Sequence, residues 1–171
     1  MDAGMGPGSN PEQTLERLIS LYYTPILRLC HVILQDRSSA EDAAQDTFLK
    51  AYRGLGNFRG QCSEKTWLTS IAVNTCRDMR KSAWFRHTEK RITPEELPIP
   101  APSQEDSLAL MQAIRSLPEK YRDVILLYYY QDMTMQETAF ALKTASSTIA
   151  KRLARAREML RKALEVTQHD G

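Results

Sequence analysis

Apolar residues recur along this chain at spacings of three and four rather than two, with breaks only at a few polar or proline-bearing places. That recurrence predicts helices over about 11–34, 39–54 and 64–83, then over about 106–115, 119–130, 135–143 and 146–165. No convincing period-two run and no internal repeat interrupts the pattern, so the expected fold is all-α.

The 39–54 helix is the best specified of the first group. Ser39 with Asp42, or Ser38 with Glu41, forms a capping-box pair, and Ala40, Ala44, Phe48, Ala51 and Leu55 then make one apolar stripe. The other face carries Asp42, Gln45, Asp46, Leu49 and Arg53. By periodicity alone this face is either solvated or a contact surface. The helix dipole favours acids in the first turn whichever it is.

Projecting 67–81 on a helical wheel sets Leu68, Ile71, Ala72, Thr75 and Met79 along a seam. Ser70, Val73, Asn74, Arg77, Arg80 and Lys81 fall on the opposite side, a mixture of small polar groups and cations. Just before this helix lies NFRGQCSEKTW, a glycine-bearing polar loop flanked by Phe58 and Trp67. It reads as a plain connector or as a pocket in which an unpaired base stacks.

In the second group, Pro118 suits a first helical turn, and Thr134 with Glu137 forms a capping box that turns Ala139 and Leu142 inward. Ser146 or Ser147 is expected to cap the last helix, whose inner stripe is Ile149, Leu153, Ala156 and Leu160. Taking Ile149 as the origin, Thr148, Lys151, Arg155 and Lys162 fall between roughly 200° and 260°, and Ser147 at about 160°. The cations thus point away from the core, with Arg152 and Arg157 flanking the stripe. Short helices ending in a basic one describe a helix-turn-helix, and an exposed ridge of donors suits base edges while cations beside it suit phosphates.

Charge sharpens the picture. The whole chain is only +2, yet Lys143–Lys162 is net +6 and Arg77–Arg91 net +4, so the remainder is acidic. Two basic islands suggest two contacts with a polyanion, leaving other surfaces for other partners. Between them ITPEELPIPAPSQED holds Pro94, Pro98, Pro100 and Pro102 among acids, which forbids a long helix or a sheet interior. The expected organisation is therefore two small helical domains joined by a Pro-rich acidic linker: a tail over 1–11, a domain over 12–91, the linker over 92–106, a helix-turn-helix domain over 107–165 and a tail over 166–171.

Composition excludes several other classes. The N-terminal MDAGMGPGSNPEQ lacks an apolar core and no run approaches the ~18 apolar residues of a membrane span, so a cytoplasmic protein is expected. Cys30, Cys62 and Cys76 are odd in number and form no CxxC pair, which argues against a disulfide framework. Cys30-His31 has no second ligand pair, so no metal is expected, nor any cofactor. His31, His87 and His169 lie in different segments, no phosphate-binding glycine loop is present, and Cys62 has no base nearby in sequence. No catalytic residue is expected. The rival in another class is a stand-alone helix-turn-helix transcriptional regulator, which would explain the last helix but not the acidic helix, loop and basic helix of 39–83.

Four ordered segments carry a closer likeness: AEDAAQDTFLKAYRGLGNFRG, TWLTSIAVNTCRDMRK, LPEKYRDVILLYYYQDMTMQETAFAL and STIAKRLARAR. From about Glu12 to Leu164 the chain resembles the extracytoplasmic-function (ECF) class of bacterial sigma-70 sigma factors. The resemblance implies a dissociable subunit without catalysis of its own, which binds RNA polymerase core, directs it to promoters and assists melting. It assigns Asp42, Gln45, Asp46 and Leu49 to the β′ clamp helices, and the loop from Phe58 to Thr66 to capture of a flipped −10 base. It assigns Ser70, Asn74, Arg77 and Arg80 to the −10 element, and Ser147, Thr148, Lys151, Arg152 and Arg155 to the −35 element. It places the 119–135 region on the β flap and implies an anti-sigma partner.

The chain departs from that family in three places. Lys143-Thr144-Ala145 replaces the usual glycine, apolar residue and serine in the turn before the recognition helix, so a differently built or longer turn is expected. Ala150 stands where a cation is frequent, and Asp46 where Glu is usual.

Overall fold

The computed structural model describes Gly8, residues 10–82 and residues 104–169, and every regular element among them is helical. The chain divides into two compact units, Met1–Thr93 and Pro94–Gly171.

The first unit is a three-helix bundle of α1 (Pro11–Leu34), α2 (Arg37–Gly54) and α3 (Glu64–Lys81), each packed against the other two. Asn10 caps α1 by accepting from the Glu12 N–H, and Pro11 occupies the first turn, where no donor is wasted. The α1–α2 turn is only Gln35-Asp36: Gln35 takes the left-handed conformation at φ 56°, and Asp36 accepts from the Ser39 N–H at 2.9 Å. Asp36, not Ser38 or Ser39, is therefore the cap of α2. Ser39 is buried, and its hydroxyl also donates to the Asp36 carboxylate at 2.6 Å. Ala40, Ala44, Phe48 and Ala51 line the core as expected, with the Phe48 ring 5.8 Å from that of Tyr23 on α1.

α3 departs from its projected two-faced pattern. Val73 (1% exposed), Ser70 (9%), Thr69 and Cys76 are buried along with Leu68, Ala72 and Thr75. The helix packs against α1 and α2 at once, and two neighbours cover a wider arc than the single seam that a wheel assigns. Ser63 caps it by accepting from the Thr66 N–H at 3.1 Å.

The second unit is built on α7 (Ser146–His169), against which α4 (Gln104–Ser116), α5 (Glu119–Ile125) and α6 (Met135–Ala141) all pack. Ile149, Leu153 and Ala156 of α7 are fully buried among Val124, Ile125, Leu126, Leu127, Ala139 and Leu142. The predicted 119–130 helix does not stay regular: Leu126–Tyr130 is a π-helical turn, closed by the Gln131 N–H donating to the Leu126 carbonyl at 3.0 Å. The end of the expected linker, from Gln104, is already helical, and α7 runs through the expected tail to His169. The remainder of the linker, and most of the N-terminal tail, lie outside the described residues.

The turn before α7 is of ordinary length. The Lys143 N–H donates to the Phe140 carbonyl at 3.2 Å and the Thr144 N–H to the Ala139 carbonyl at 3.0 Å, the paired bonds of a Schellman ending. Lys143 itself holds the left-handed position at φ 52° that glycine would take at less cost. The expectation of a differently built turn is corrected: the geometry is standard and the residue is unusual. The Ile149 N–H donates to the Ala145 carbonyl at 3.1 Å, so Ala145, rather than either serine, stands at the capping position.

Candidate nucleic-acid interface

α7 presents its cations as the projection requires. Ser147, Lys151, Arg155 and Lys162 are exposed, Thr148 and Arg152 half-buried, and all share a helix whose opposite stripe is sealed against α4, α5 and α6. The ridge is not a row of free charges, however. Glu158 accepts from Arg155 Nη1 at 3.0 Å through one oxygen and pairs with Lys162 Nζ at 3.2 Å through the other. Those two partners, Lys162 first and then Arg155, hold the Glu158 carboxyl below its ordinary range. Arg161 pairs with Glu165 at 2.8 Å.

Arg157 is turned inward along the surface. Its Nε–H donates to the Tyr129 hydroxyl, and its guanidinium lies 5.4 Å from the Tyr129 ring and 6.0 Å from that of Tyr128. These rings meet edge to face at 5.0 Å. The arrangement ties the middle of α7 to the π-helical turn, so Arg157 acts as a domain brace. Periodicity placed Arg157 beside the stripe but did not identify its partner. The run Tyr128-Tyr129-Tyr130 was the available signal, and the π-helical turn carries the two of these rings that meet Arg157.

In the first unit, the loop and α3 supply the second set. Phe58 and Trp67 stack on each other, centroids 4.5 Å apart at 24°, and a Cβ at Gly54 would come within 3.3 Å of the Trp67 ring. Arg59, Gly60 and Gln61 between them are exposed, and Gly60 takes a positive φ of 73°. Asn74 and Arg77 are half-buried at the surface. Ser70 is buried, and Arg80 gives a guanidinium N–H to the Ile33 carbonyl of α1. Of the four residues matched to the −10 element, therefore, Asn74, Arg77 and Arg80 are half-buried, Arg80 with one guanidinium N–H given to α1, whereas Ser70 is buried in the bundle.

On α2, Asp42, Gln45 and Leu49 are exposed, Leu49 by 54%. Asp46 pairs with Lys50 Nζ at 3.1 Å, and the same ammonium donates to the buried Thr75 hydroxyl of α3 at 3.0 Å. Lys50 was not singled out by sequence; its i, i+4 spacing from Asp46 was the available signal for the ion pair, and only packing discloses the bond to α3. Among the described residues no group of His, Cys, Asp and Glu is arranged to hold a metal ion, and no helix is long and apolar enough to cross a membrane.

Two family descriptions match these units: Sigma-70 region 2 over residues 18–86 and Sigma-70, region 4 over residues 107–160. RNA polymerase sigma-H factor of Pseudomonas aeruginosa is 30% identical, with 90% of this chain and 88% of that protein covered. The ECF RNA polymerase sigma factor SigW of Bacillus subtilis is also 30% identical, over 86% and 87%. A solved structure of the sigma factor RpoE from Bartonella quintana, in complex with the anti-sigma factor NepR, aligns with a TM-score of 0.71 at 23% identity, covering 90% of this chain and 98% of that one. The two sigma-70 regions and the full-length relatives together place this chain in the sigma-70 family of RNA polymerase sigma factors, in its ECF class. Its function is that of a sigma factor, promoter-directed initiation of transcription.

Proposed function

We propose a division of labour between the two units. The unit built on α1–α3, over 12–91, holds the polymerase core and reads and helps melt the −10 element. The unit built on α4–α7, over 107–165, reads the −35 element as duplex, and the Pro-rich segment over 92–106 tethers them. α7 enters the major groove with Ser147, Thr148, Lys151 and Arg155 towards base edges, and Arg152 to the phosphates beside them. The observation that supports this most is the exposed ridge of Ser147, Lys151, Arg155 and Lys162 directly opposite the sealed Ile149, Leu153 and Ala156 stripe. No catalytic step is assigned to the chain: polymerase supplies the chemistry and this subunit the address, in the cytoplasm.

For the first unit, Asn74 and Arg77 face the opened −10 strand, and Phe58 with the polar loop to Thr66 takes an unstacked base. Because Phe58 rests on Trp67, a base would extend an existing aromatic stack rather than enter an empty slot. Ser70, which is buried, shapes α3 from within, and Arg80, half-buried and braced on the Ile33 carbonyl, supports the same reading helix. The Asp42, Gln45, Asp46 and Leu49 face docks on the β′ clamp helices and the 119–135 region on the β flap. The RpoE structure is a complex with an anti-sigma factor; by that likeness, an anti-sigma protein is also proposed as a partner here.

The test is assembly and run-off. Asp42→Arg combined with Asp46→Arg should abolish capture by core polymerase while helicity by circular dichroism is kept, because repulsion replaces attraction at a charged contact. Undiminished capture would remove α2 from the core interface.

A further inference from the structure

The α7 ridge carries an anion where a DNA-facing surface would be expected to carry none. On the wheel Glu158 lies at roughly 180° from Ile149, within the ridge, between Ser147 at about 160° and Lys151, Lys162 and Arg155 at about 200°, 220° and 240°. It is engaged from within the helix at both oxygens, one to Arg155 Nη1 at 3.0 Å and the other to Lys162 Nζ at 3.2 Å. A phosphate approaching this part of α7 meets two cations already holding a carboxylate. Both keep N–H donors to spare, but their charge is already offset by that carboxylate, and a phosphate brought to them is also brought close to a like charge.

A guanine edge presents a different problem. Arg155 uses Nη1 on Glu158, which leaves its Nε and Nη2 donors, the other edge of the fork, unclaimed by that bond. That edge has the spacing to meet guanine O6 and N7 together. The carboxylate also fixes a long side chain that would otherwise lose rotamer freedom on binding. Holding Arg155 therefore favours a base contact, which needs one orientation, over a phosphate contact, which tolerates many.

We propose that Glu158 is a positioning and specificity-determining residue for −35 recognition: it orients Arg155 for a guanine edge and, with Lys162, lowers the affinity of α7 for DNA of any other sequence. The inference rests on the assignment of α7 to the −35 element under Proposed function. It makes Glu158 act through Arg155 and Lys162, without itself touching the reacting strands.

The experiment compares wild-type, E158A, E158Q and R155A full-length chains as holoenzyme, on promoter fragments carrying the preferred or a scrambled −35 sequence, across a salt series. E158A should bind scrambled DNA more tightly and narrow the preference by about two- to fivefold, the range of one exposed ion pair. Its log-affinity against log-salt slope should steepen by about one unit as freed cations reach phosphate. E158Q keeps an oxygen that accepts from Arg155 but lacks the charge, so it should steepen the slope likewise and keep more of the preference than E158A. R155A separates the two levels of inference. If R155A loses the −35 preference while E158A retains it in full, the α7 reading stands and the role of Glu158 is overturned. If R155A itself retains the preference, the α7 reading falls and takes the role of Glu158 with it.

Discussion

Arg17 of α1 and Glu64 at the start of α3 form a two-pronged ion pair, Nη1 to Oε2 at 2.9 Å and Nη2 to Oε1 at 2.6 Å, with the Glu64 side chain only 6% exposed. The pair spans 47 residues of sequence and fixes the end of α3 that carries the Phe58–Trp67 loop. Parallel forked bonds supply both strength and orientation.

Removing the arginine should expose the cost of the arrangement. Arg17→Ala leaves a buried carboxylate without its fork, and because Arg17 is partly solvated the loss should be about 1–3 kcal/mol rather than the full value of a deeply buried pair. Denaturant unfolding followed by Trp67 fluorescence in a Trp84→Phe background reports on this unit. A midpoint unchanged from the parent would show that the pair is not a structural tie.

The left-handed Lys143 gives a prediction of opposite sign. Lys143→Gly removes the Cβ penalty at φ 52° and should stabilise the second unit by about 0.5–1 kcal/mol after the added freedom of the unfolded chain is subtracted. Thermal unfolding should shift upward by a few degrees. An unchanged or lower midpoint would mean that the lysine stem recovers its strain through packing.

Two faces of α7 should separate stability from recognition. Leu153→Ala empties a site that is 1% exposed and should cost about 2–5 kcal/mol. Lys151→Ala, on the exposed ridge, should stay within about 0.5 kcal/mol of wild type while weakening promoter binding by the holoenzyme. If Lys151→Ala unfolds the unit, the ridge is not the exposed side.

Asn74→Ala and Arg77→Ala concern the kinetics of opening. Both residues are half-buried on α3, so each should slow bubble formation more than it weakens the closed complex. Permanganate footprinting with wild-type timing would exclude α3 from strand capture.

The ion pairs of Glu158 also set a pH dependence. Lys162 and Arg155 hold its carboxyl below the ordinary range, so their contribution to α7 is present above the unfolded glutamic-acid value and is lost as pH falls through the depressed one. The carboxyl resonance of Glu158 should titrate below that of an unpaired glutamate and move back towards it in high salt. Coincident titrations at low salt would leave no pair to lose.

The segmental pattern was legible because helix periodicity and caps are local. The Thr134–Glu137 capping box, with both reciprocal bonds at 3.1 and 2.8 Å, and the inward stripe of Ile149, Leu153 and Ala156 lie where spacing alone puts them. The same logic placed Asp42, Gln45 and Leu49 outward on α2 and the cations outward on α7. Each of these needs only one helix and one buried direction.

What the sequence left undecided depended on a second neighbour. Ser70 and Val73 are buried because α3 meets two helices, and Asp36 rather than a serine caps α2 because the two-residue turn brings its carboxylate to the Ser39 N–H. The left-handed Lys143 is imposed by the need to turn from α6 into α7 with both Schellman bonds made, a constraint that outweighs the preference for glycine. The links of Arg17 to Glu64, Lys50 to Thr75 and Arg157 to Tyr129 join residues 47, 25 and 28 positions apart. Sequence by itself determined where helices form and which side of each is apolar, since those follow from bonds and contacts within about one turn. Only the tertiary structure decided which polar side chains remain available for partners and which are spent on one another, because that depends on distances between helices that no single-helix period encodes.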